Sequence, residues 1–335
     1  MQHQLLQLID GESLGAMRFY FDTNVASFIV SSGDANRVAH YFRSGNHRLV
    51  ISTDLLVEVA RAPSPERSAR LDLLRAVDAR FESPPADFEE AAEIRREISR
   101  CHPDWLIAQP DTAEIDRLLR GRREVWLACK KDPKFDLAAR LPPYLEASGS
   151  AARNFADEQK RFKAFRRENP GSEITSGSPE IEDLLTPLGD FERYWRMATA
   201  LAWRRAMRGS AAMRDYRDWL GPYVLPGVTD SFDWIRFWLT EVEGHLVKRT
   251  LVRTAIEYTQ TSRKVTIGNA ADTNHALYSL AVDRFLTCDR DFHSSLIQAM
   301  ELLPFGLGSI RFVDRSKGNA FDAILDGLQG NRGMG

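Results

Sequence analysis

A short hydrophobic strand that ends in a carboxylate is the feature that most constrains this chain. Residues 19–21 predict a buried β-strand, and Asp22 follows directly where the strand ends. Thr23 and Asn24 come next and suit the start of a helix. In an open α/β sheet, ligands bind beyond the carboxyl ends of the strands. Asp22 is therefore either a simple helix cap or a member of a functional site, and acidic partners elsewhere in the chain decide between the two.

A second strand and helix follow, and the pattern then becomes helical. Residues 48–52 predict a short strand, and residues 53–60 predict a helix on which Glu58 lies among apolar residues. Strand-like runs nearly vanish after residue 63, and proline-rich or glycine-rich joints separate long amphipathic patterns. The predicted helices of this middle part cover residues 66–81, 87–100, 112–130, 151–167, 191–207 and 231–258.

The α/β pattern returns near the C-terminus with two further acids. Asp272 lies in the first turn of a helix predicted over residues 269–282, and Asp289 comes just after a strand predicted over residues 284–287. A helix at 292–302, a strand at 310–313 and a helix at 320–328 complete the predicted elements. If the strands are parallel neighbours, the four acids converge at one edge of the sheet.

Composition limits the protein class only broadly. The 335 residues contain 43% hydrophobic residues, enough to bury a sizeable core, and the net charge of -2 gives no global signal for nucleic acid. The three cysteines are scattered without CxxC spacing, which argues against a disulfide framework or a zinc site and favours a reducing compartment. Without a signal peptide or a run of about 18 apolar residues, we expect a cytoplasmic protein that does not span a membrane.

A cluster of carboxylates without compensating charge is costly unless it is protonated or binds a cation. Oxygen ligands without a nearby Cys or His set favour Mg²⁺ or Mn²⁺ over Zn²⁺. Such a site can activate water and stabilise the charge that develops on a phosphodiester. If the four acids converge, the residues therefore favour a Mg²⁺ or Mn²⁺ site capable of chemistry on a phosphodiester.

Four short motifs resemble those of the PIN-domain nucleases. They are FDTN at residues 21–24, Ser52 with Glu58 in STDLLVEVA, Asp272 in ADTNHALYSLAVD, and LTCDRDF around Asp289, in the family's order. The resemblance covers about residues 18–61 and 267–313. It implies an α/β/α sandwich with a central parallel sheet and a Mg²⁺- or Mn²⁺-dependent nuclease that most often cuts RNA.

The resemblance also implies roles for particular residues. Asp22, Glu58, Asp272 and Asp289 resemble the family's catalytic, metal-binding acidic quartet. Asn24 resembles its polar accessory residue, and Asp291 is an acid close enough to assist. We expect Asn24 or Thr23 to cap the first helix, which leaves Asp22 to face a metal. His275, one turn from Asp272, is interpreted as a histidine on the helix surface. Asp283 is expected to have a structural or secondary role.

The chain departs from a small PIN domain in its middle. The predicted core is discontinuous, over residues 18–61 and 267–328, and a large, mostly α-helical insertion covers residues 62–266. Residues 1–17 and 329–335 are poorly defined termini. The insertion is unlike the minimal toxins of toxin–antitoxin pairs, and the resemblance says nothing about what it binds.

Two basic stretches of the insertion have the composition of a surface that binds single-stranded nucleic acid. The alternative is an amphipathic helix whose aromatic residues face the core and whose charges face water, and it explains the aromatic residues better. The candidate phosphate-binding residues are Arg122, Arg123, Lys130, Lys131, Lys160, Arg161, Lys163, Arg166 and Arg167. The tryptophans of the third basic run, Trp195 and Trp203, are interpreted as packing residues.

Three functions remain open from the sequence. The first is an endoribonuclease with RNA as its substrate, with DNA, a regulatory protein partner and a homodimer left open. The second is a catalytically weak scaffold that binds RNA or a protein. The third, a phosphatase of the haloacid-dehalogenase type, requires a second acid two residues after Asp22, where this chain has Asn24.

Overall fold

The computed structural model describes residues 16–141 except Ser83, and residues 178–329 except 210–213, 262, 264 and 267. Within the segment 153–167 it describes residues 153, 154, 156, 157, 159–161, 163, 164 and 167, all helical. No helix in these ranges has the length and apolar content needed to cross a membrane.

One parallel sheet organises the described residues. Its strands are β1 (Arg18–Phe21), β2 (Arg48–Ile51), β3 (Arg80–Phe81), β4 (Arg284–Thr287) and β5 (Ser309–Phe312), in the order β3-β2-β1-β4-β5. All neighbouring pairs are parallel, with Phe19 beside Leu49 on one side and beside Arg284 on the other. The α/β class and the parallel sheet predicted from the sequence are confirmed.

Helices surround this sheet and build a second lobe. They are α1 (Thr23–Ser31), α2 (Ala35–Ser44), α3 (Thr53–Arg61), α4 (Ser64–Ala76), α5 (Ala86–Cys101), α6 (Ala113–Lys131), α7 (Leu137–Arg140), α8 (Pro179–Leu185), α9 (Asp190–Met207), α10 (Arg214–Leu220), α11 (Phe232–Arg236), α12 (Lys248–Gln260), α13 (Asn269–Ala276), α14 (Arg290–Met300) and α15 (Ala320–Gln329).

Two helix predictions in the middle part of the chain are wrong in their extent, and the helix predicted over residues 269–282 is α-helical only to Ala276 and continues as a 3-10 helix over Leu277–Leu280. The helix predicted over residues 66–81 ends at Ala76, and β3 follows it. The helix predicted over residues 231–258 is broken into α11, a π-helical turn at Phe237–Glu241, a 3-10 turn at Gly244–Leu246, and α12. Before β3 the apolar spacing changes to every second residue only at Val77, Ala79 and Phe81, a run too short to predict a strand.

Alternate strand residues face opposite helix layers, as the two-residue period of a strand requires. Phe19 and Phe21 pack with α1 to α4, α6, α7 and α15, whereas Tyr20 and Phe285 pack with α12, α13 and α14. The sheet is thereby buried on both faces, which explains why its strands are short continuous apolar runs.

The helical lobe has its own aromatic core. Trp195 and Trp203 on α9 pack with Trp219 on α10 and with Trp234 and Trp238, all at most 4% exposed. The interpretation of Trp195 and Trp203 as packing residues is therefore confirmed.

The boundary between the predicted core and the insertion needs correction. β3 supplies one edge of the sheet, and Leu71 of α4, Trp126 of α6 and Val252 of α12 pack against the sheet layers, yet all lie within residues 62–266. β3 was missed because two residues are too few to produce a strand pattern. Residues 62–266 thus contribute to the helix layers on both faces of the sheet.

Candidate functional site

Asp22 and Asp289 lie at the point where the direction of the sheet's connections reverses. The chain winds from β1 through β2 to β3 on one side, and from β4 to β5 on the other. The crevice between β1 and β4 is therefore the topological switch point, where α/β sheets bind ligands. Asp22 follows β1 and Asp289 lies two residues beyond β4, so both predicted acids flank this crevice.

A single hydroxyl links these two acids. Thr287, the last residue of β4, donates a hydrogen bond through Oγ1 to Asp22 Oδ2, and the same Oγ1 accepts from the backbone N–H of Asp289 at 2.9 Å. Thr287 is fully buried, so this arrangement is shielded from water. The sequence did not identify Thr287, because a threonine at a strand end has no distinguishing pattern.

Asp22 caps α1 itself, which corrects the expectation that Asn24 or Thr23 does so. Its Oδ1 accepts a hydrogen bond from the backbone N–H of Val25 at 2.9 Å. Asp289 caps α14 in the same way, accepting from the N–H of Phe292 at 2.9 Å. Each carboxylate oxygen has two lone pairs, so capping leaves acceptor capacity for a further ligand.

Burial makes the charge on Asp22 costly. Asp22 is 3% exposed, and desolvation raises its pKa to about 6 although its hydrogen bonds with Thr287 and Val25 act in the opposite direction. The pKa of Asp272, on α13, is raised further than that of Asp22. Burial raises its pKa to about 7, the charges of Asp289, Asp22 and Glu58 add to this rise, and His275 opposes it. The four predicted acids therefore form one electrostatic cluster in the sense that the charges of the other three act on the pKa of Asp272, and not as a group of described side chains placed closely enough to hold an ion.

His275 is buried beside the fourth acid, so its interpretation as a surface histidine is wrong. The residue is 2% exposed, and its Nε2 lies 3.1 Å from Glu58 Oε2 on α3. The distance is that of an ion pair, although the N–H is not aligned as in a hydrogen bond. Burial alone would lower the pKa of His275, but Glu58 outweighs it and raises that pKa. Burial alone would raise the pKa of Glu58, but His275 and Thr23 outweigh it and lower that pKa.

A buried chain of hydrogen bonds continues from the histidine into the sheet. His275 Nδ1 lies 2.6 Å from the Tyr20 hydroxyl, which lies 2.7 Å from Ser52 Oγ. Ser52 in turn caps α3 by accepting from the backbone N–H of Leu55 at 3.0 Å. The ring of Tyr20 stacks on that of Tyr278 with centroids 4.9 Å apart. His275 is thus fixed by both hydrogen bonding and packing.

The neighbouring residue makes a second link between the same two helices. Asn274 of α13 donates from Nδ2 to Asp54 Oδ1 of α3 at 3.1 Å, and its own Oδ1 accepts from Arg253 Nη1 at 3.2 Å. Arg253 also binds Glu90, which is 1% exposed, at 2.7 Å. Asp54 and Glu58 are one helical turn apart, so the adjacent residues Asn274 and His275 of α13 contact successive turns of α3.

The accessory acids and amides lie outside this buried cluster. Asn24 and Asp291 are both exposed, on the first turns of α1 and α14. Asp283 has the expected structural role, because its Oδ2 accepts from the backbone N–H of Arg18 at 2.7 Å.

The fit of a metal ion can be tested on the donor set. Among the described residues, no group of three or more His, Cys, Asp or Glu side chains is close enough together, as placed, to hold an ion. The donor chemistry does fit a hard cation, because all four acids are carboxylates, the charges of Asp22, Glu58 and Asp289 act on Asp272, and the pKa values of Asp22 and Asp272 are raised. A cation would offset this electrostatic cost.

The basic candidates have different surroundings. Arg122 is buried, 3.3 Å from Asp87 and over the ring of Trp219, so it serves the packing of the lobe. Lys130 pairs with Asp78. The exposed candidates are Arg123, Lys131, Lys160, Arg161 and Arg167, and Arg166 lies outside the described residues.

A buried amide network attaches the second basic stretch beside Asp272. Gln159 donates to Gln260 Oε1 of α12 and accepts from Asn269 Nδ2, the first residue of α13, both at 2.9 Å. Gln260 donates to the Asn269 carbonyl at 3.2 Å. Lys163 also donates to the carbonyl of Arg263. The basic helical segment is thus fixed at the end of α13 that bears the candidate acid.

Comparison with known proteins finds no relative. No protein-family model matches the chain, and neither a curated protein nor a solved structure is significantly similar to it.

Proposed function

We propose that the chain is a PIN-like, Mg²⁺- or Mn²⁺-dependent endoribonuclease whose acidic quartet is Asp22, Glu58, Asp272 and Asp289. One observation supports it above all. The four acids come from both ends of the sequence, Asp22 and Asp289 flank the switch point of a parallel sheet, and the charges of Asp289, Asp22 and Glu58 raise the pKa of Asp272. Hydrolysis of phosphodiesters is the chemistry that a hard cation on carboxylates serves best.

Asp22, Asp272 and Asp289 would hold the ion, with Glu58 at the edge of the same cluster. When bound, the cation supplies charge neutralisation and an activated water. Neighbouring residues of the chain fix the positions of these carboxylates. Thr287 orients Asp22 and fixes the backbone at Asp289, and the caps of α1 and α14 fix both carboxylates relative to the sheet. These rigid supports limit the reorganisation that binding requires.

RNA is the proposed substrate because a basic segment adjoins the acidic cluster. The amide network of Gln159 with Gln260 and Asn269 fixes that segment against the first residue of α13. Lys160, Arg161 and Arg167 are exposed on it. Positive charge beside an acidic site neutralises the phosphates on either side of the bond to be cut, which the acids alone would repel.

A catalytically weak RNA-binding or protein-binding scaffold is the second candidate. One observation favours it: among the described residues, no three His, Cys, Asp or Glu side chains lie close enough together to hold an ion. Tight RNA binding without metal-dependent turnover, unchanged when the quartet is substituted, would favour this candidate.

Cleavage of end-labelled RNA by purified protein tests the proposal. We expect cleavage with Mg²⁺ or Mn²⁺, none with EDTA, and a loss of at least about 100-fold in both Asp22→Asn and Asp272→Asn. Asp183→Asn, the same exchange on the exposed face of α8, is the matched control and should cleave normally. Unchanged cleavage in both site variants would reject the quartet.

A further inference from the structure

The Glu58 carboxylate is held through one of its two oxygens. Thr23 donates a hydrogen bond from Oγ1 to Oε2, and His275 Nε2 faces the same Oε2 at 3.1 Å. Within the described part of the chain, no hydrogen bond or ion pair involves Oε1. The side chain of Glu58 is 24% exposed, so this acid is partly open to solvent, whereas the side chain of His275 is only 3% exposed.

The group that holds Glu58 is itself fixed from behind. His275 Nδ1 contacts the Tyr20 hydroxyl, which contacts Ser52, the cap of the helix that bears Glu58. The chain of contacts therefore starts and ends on α3, passing through β1 and α13. Tyr20 and Ser52 are both fully buried, so neither can exchange its partner for water.

We propose that His275 is a positioning residue that holds Glu58 by Oε2 and presents Oε1 to the cation, or to the water bound by it. Thr23 is the second contact on the same oxygen, and Tyr20 with Ser52 fixes the orientation of the imidazole. This inference rests on the proposed nuclease function. Partners behind a ligand typically change metal affinity or activity about 10- to 100-fold when they are removed.

A merely structural histidine would behave differently. If His275 only filled space between β1, α3 and α13, its loss would lower stability and leave the turnover of folded protein unchanged. A positioning role affects kcat and metal affinity, whereas the KM for RNA, set by contacts elsewhere, stays the same.

Two isosteric variants separate the two nitrogens of the ring. His275→Gln keeps an N–H donor near the position of Nε2, where its amide can rotate toward Glu58. His275→Asn keeps a group near Nδ1, toward Tyr20, and loses the contact with Glu58. Thr23→Val removes the other contact on Oε2 at a site that is not fully buried. Glu58→Gln is the reference for loss of the acid itself.

The experiment measures single-turnover RNA cleavage, KM, and Mn²⁺ affinity by calorimetry, with folding checked by thermal unfolding. We expect His275→Asn to lower kcat and Mn²⁺ affinity about 10- to 100-fold with KM unchanged, and His275→Gln to stay within about threefold of wild type. Thr23→Val should fall between them.

Other outcomes would overturn the inference. The inference fails if folded His275→Asn matches wild type in kcat and Mn²⁺ affinity while Glu58→Gln is impaired. It also fails if His275→Asn and His275→Gln lower kcat and Mn²⁺ affinity equally. Should His275→Asn not fold, wild-type kcat in Thr23→Val overturns it. If wild type binds Mn²⁺ but cuts no RNA, the proposed function fails and Mn²⁺ affinity alone decides the role of His275. If wild type binds no Mn²⁺, both fail.

Discussion

Neutralising Asp272 should stabilise the metal-free protein, and the effect should depend on pH. Burial and the other acids raise the pKa of Asp272 from 3.8 to about 7. A carboxyl group with a raised pKa contributes stability that is fully present below 3.8 and is lost as the pH rises through about 7. At pH 8 the folded protein therefore bears the full cost of ionising this residue.

The magnitude follows from the size of the shift. About 3 pKa units at about 1.4 kcal/mol each give about 4 kcal/mol at pH 8, whereas at pH 5 only about 1.6 kcal/mol applies. Solvent screening of a partly exposed group reduces these values to about half. At pH 8 the loss of a negative charge from the first turn of α13 subtracts about 0.5 kcal/mol, whereas at pH 5 Asp272 is protonated in the folded protein and no charge is lost. Asp272→Asn should thus be more stable by about 1.5 kcal/mol at pH 8 and by about 0.8 kcal/mol at pH 5.

Urea unfolding in EDTA, followed by tryptophan fluorescence at both pH values, measures this difference. Asp183→Asn controls for the exchange itself, because Asp183 is exposed on α8. Saturating Mn²⁺ should make wild type more stable than Asp272→Asn, since wild type is stabilised by binding an ion that the variant binds weakly. The reasoning is refuted if Asp272→Asn is less stable than wild type at pH 8 in EDTA, or if the gap is the same at both pH values.

Three further variants test separate parts of the structure. Arg253→Met leaves the carboxylate of Glu90 buried without its guanidinium, so urea unfolding should show a loss of about 3–5 kcal/mol, and an unchanged midpoint would contradict the buried ion pair. Gly308→Ala brings a Cβ to 2.1 Å from a backbone carbonyl, so thermal unfolding should show destabilisation of about 1–3 kcal/mol or more, and wild-type stability would contradict this packing. Reversing Lys160 and Arg161 to Glu should weaken RNA binding at least about tenfold and reduce its salt dependence by fluorescence anisotropy, while equal binding would remove this segment from the substrate path.

Asp22 and Asp289 each have a local signal in the sequence. Asp22 and Asp289 follow apolar runs that could only be buried strands, and the parallel sheet brings strand ends together wherever they fall in the sequence. The 204 residues from 63 to 266 separate the two predicted parts of the site in the sequence, but β1 and β4 still pair as neighbours in the sheet.

The partners of these acids had no such signal. His275 is separated from Tyr20 by 255 residues, and its burial depends on α13 packing against α3 and β1. On a helix, the sequence around a histidine does not show whether another element covers it. Thr287 also had no signal in the sequence. Its hydroxyl donates to Asp22 only because β4 pairs with β1.

Arg122 shows the opposite error. In the sequence it belongs to a basic run that suits phosphate binding, but Asp87 and Trp219 enclose it in the lobe. Charge composition predicts which residues can bind phosphate. The tertiary packing of α5, α6 and α10 decides which of them are exposed to do so.

Anomalous diffraction from crystals of the protein soaked in Mn²⁺ tests the central claim most directly. The account predicts Mn²⁺ bound between Asp22, Asp272 and Asp289, and no Mn²⁺ there in Asp272→Asn. Manganese found only at other surfaces, or none in crystals of an active preparation, would contradict the assignment of this acidic cluster as a metal-dependent nuclease site.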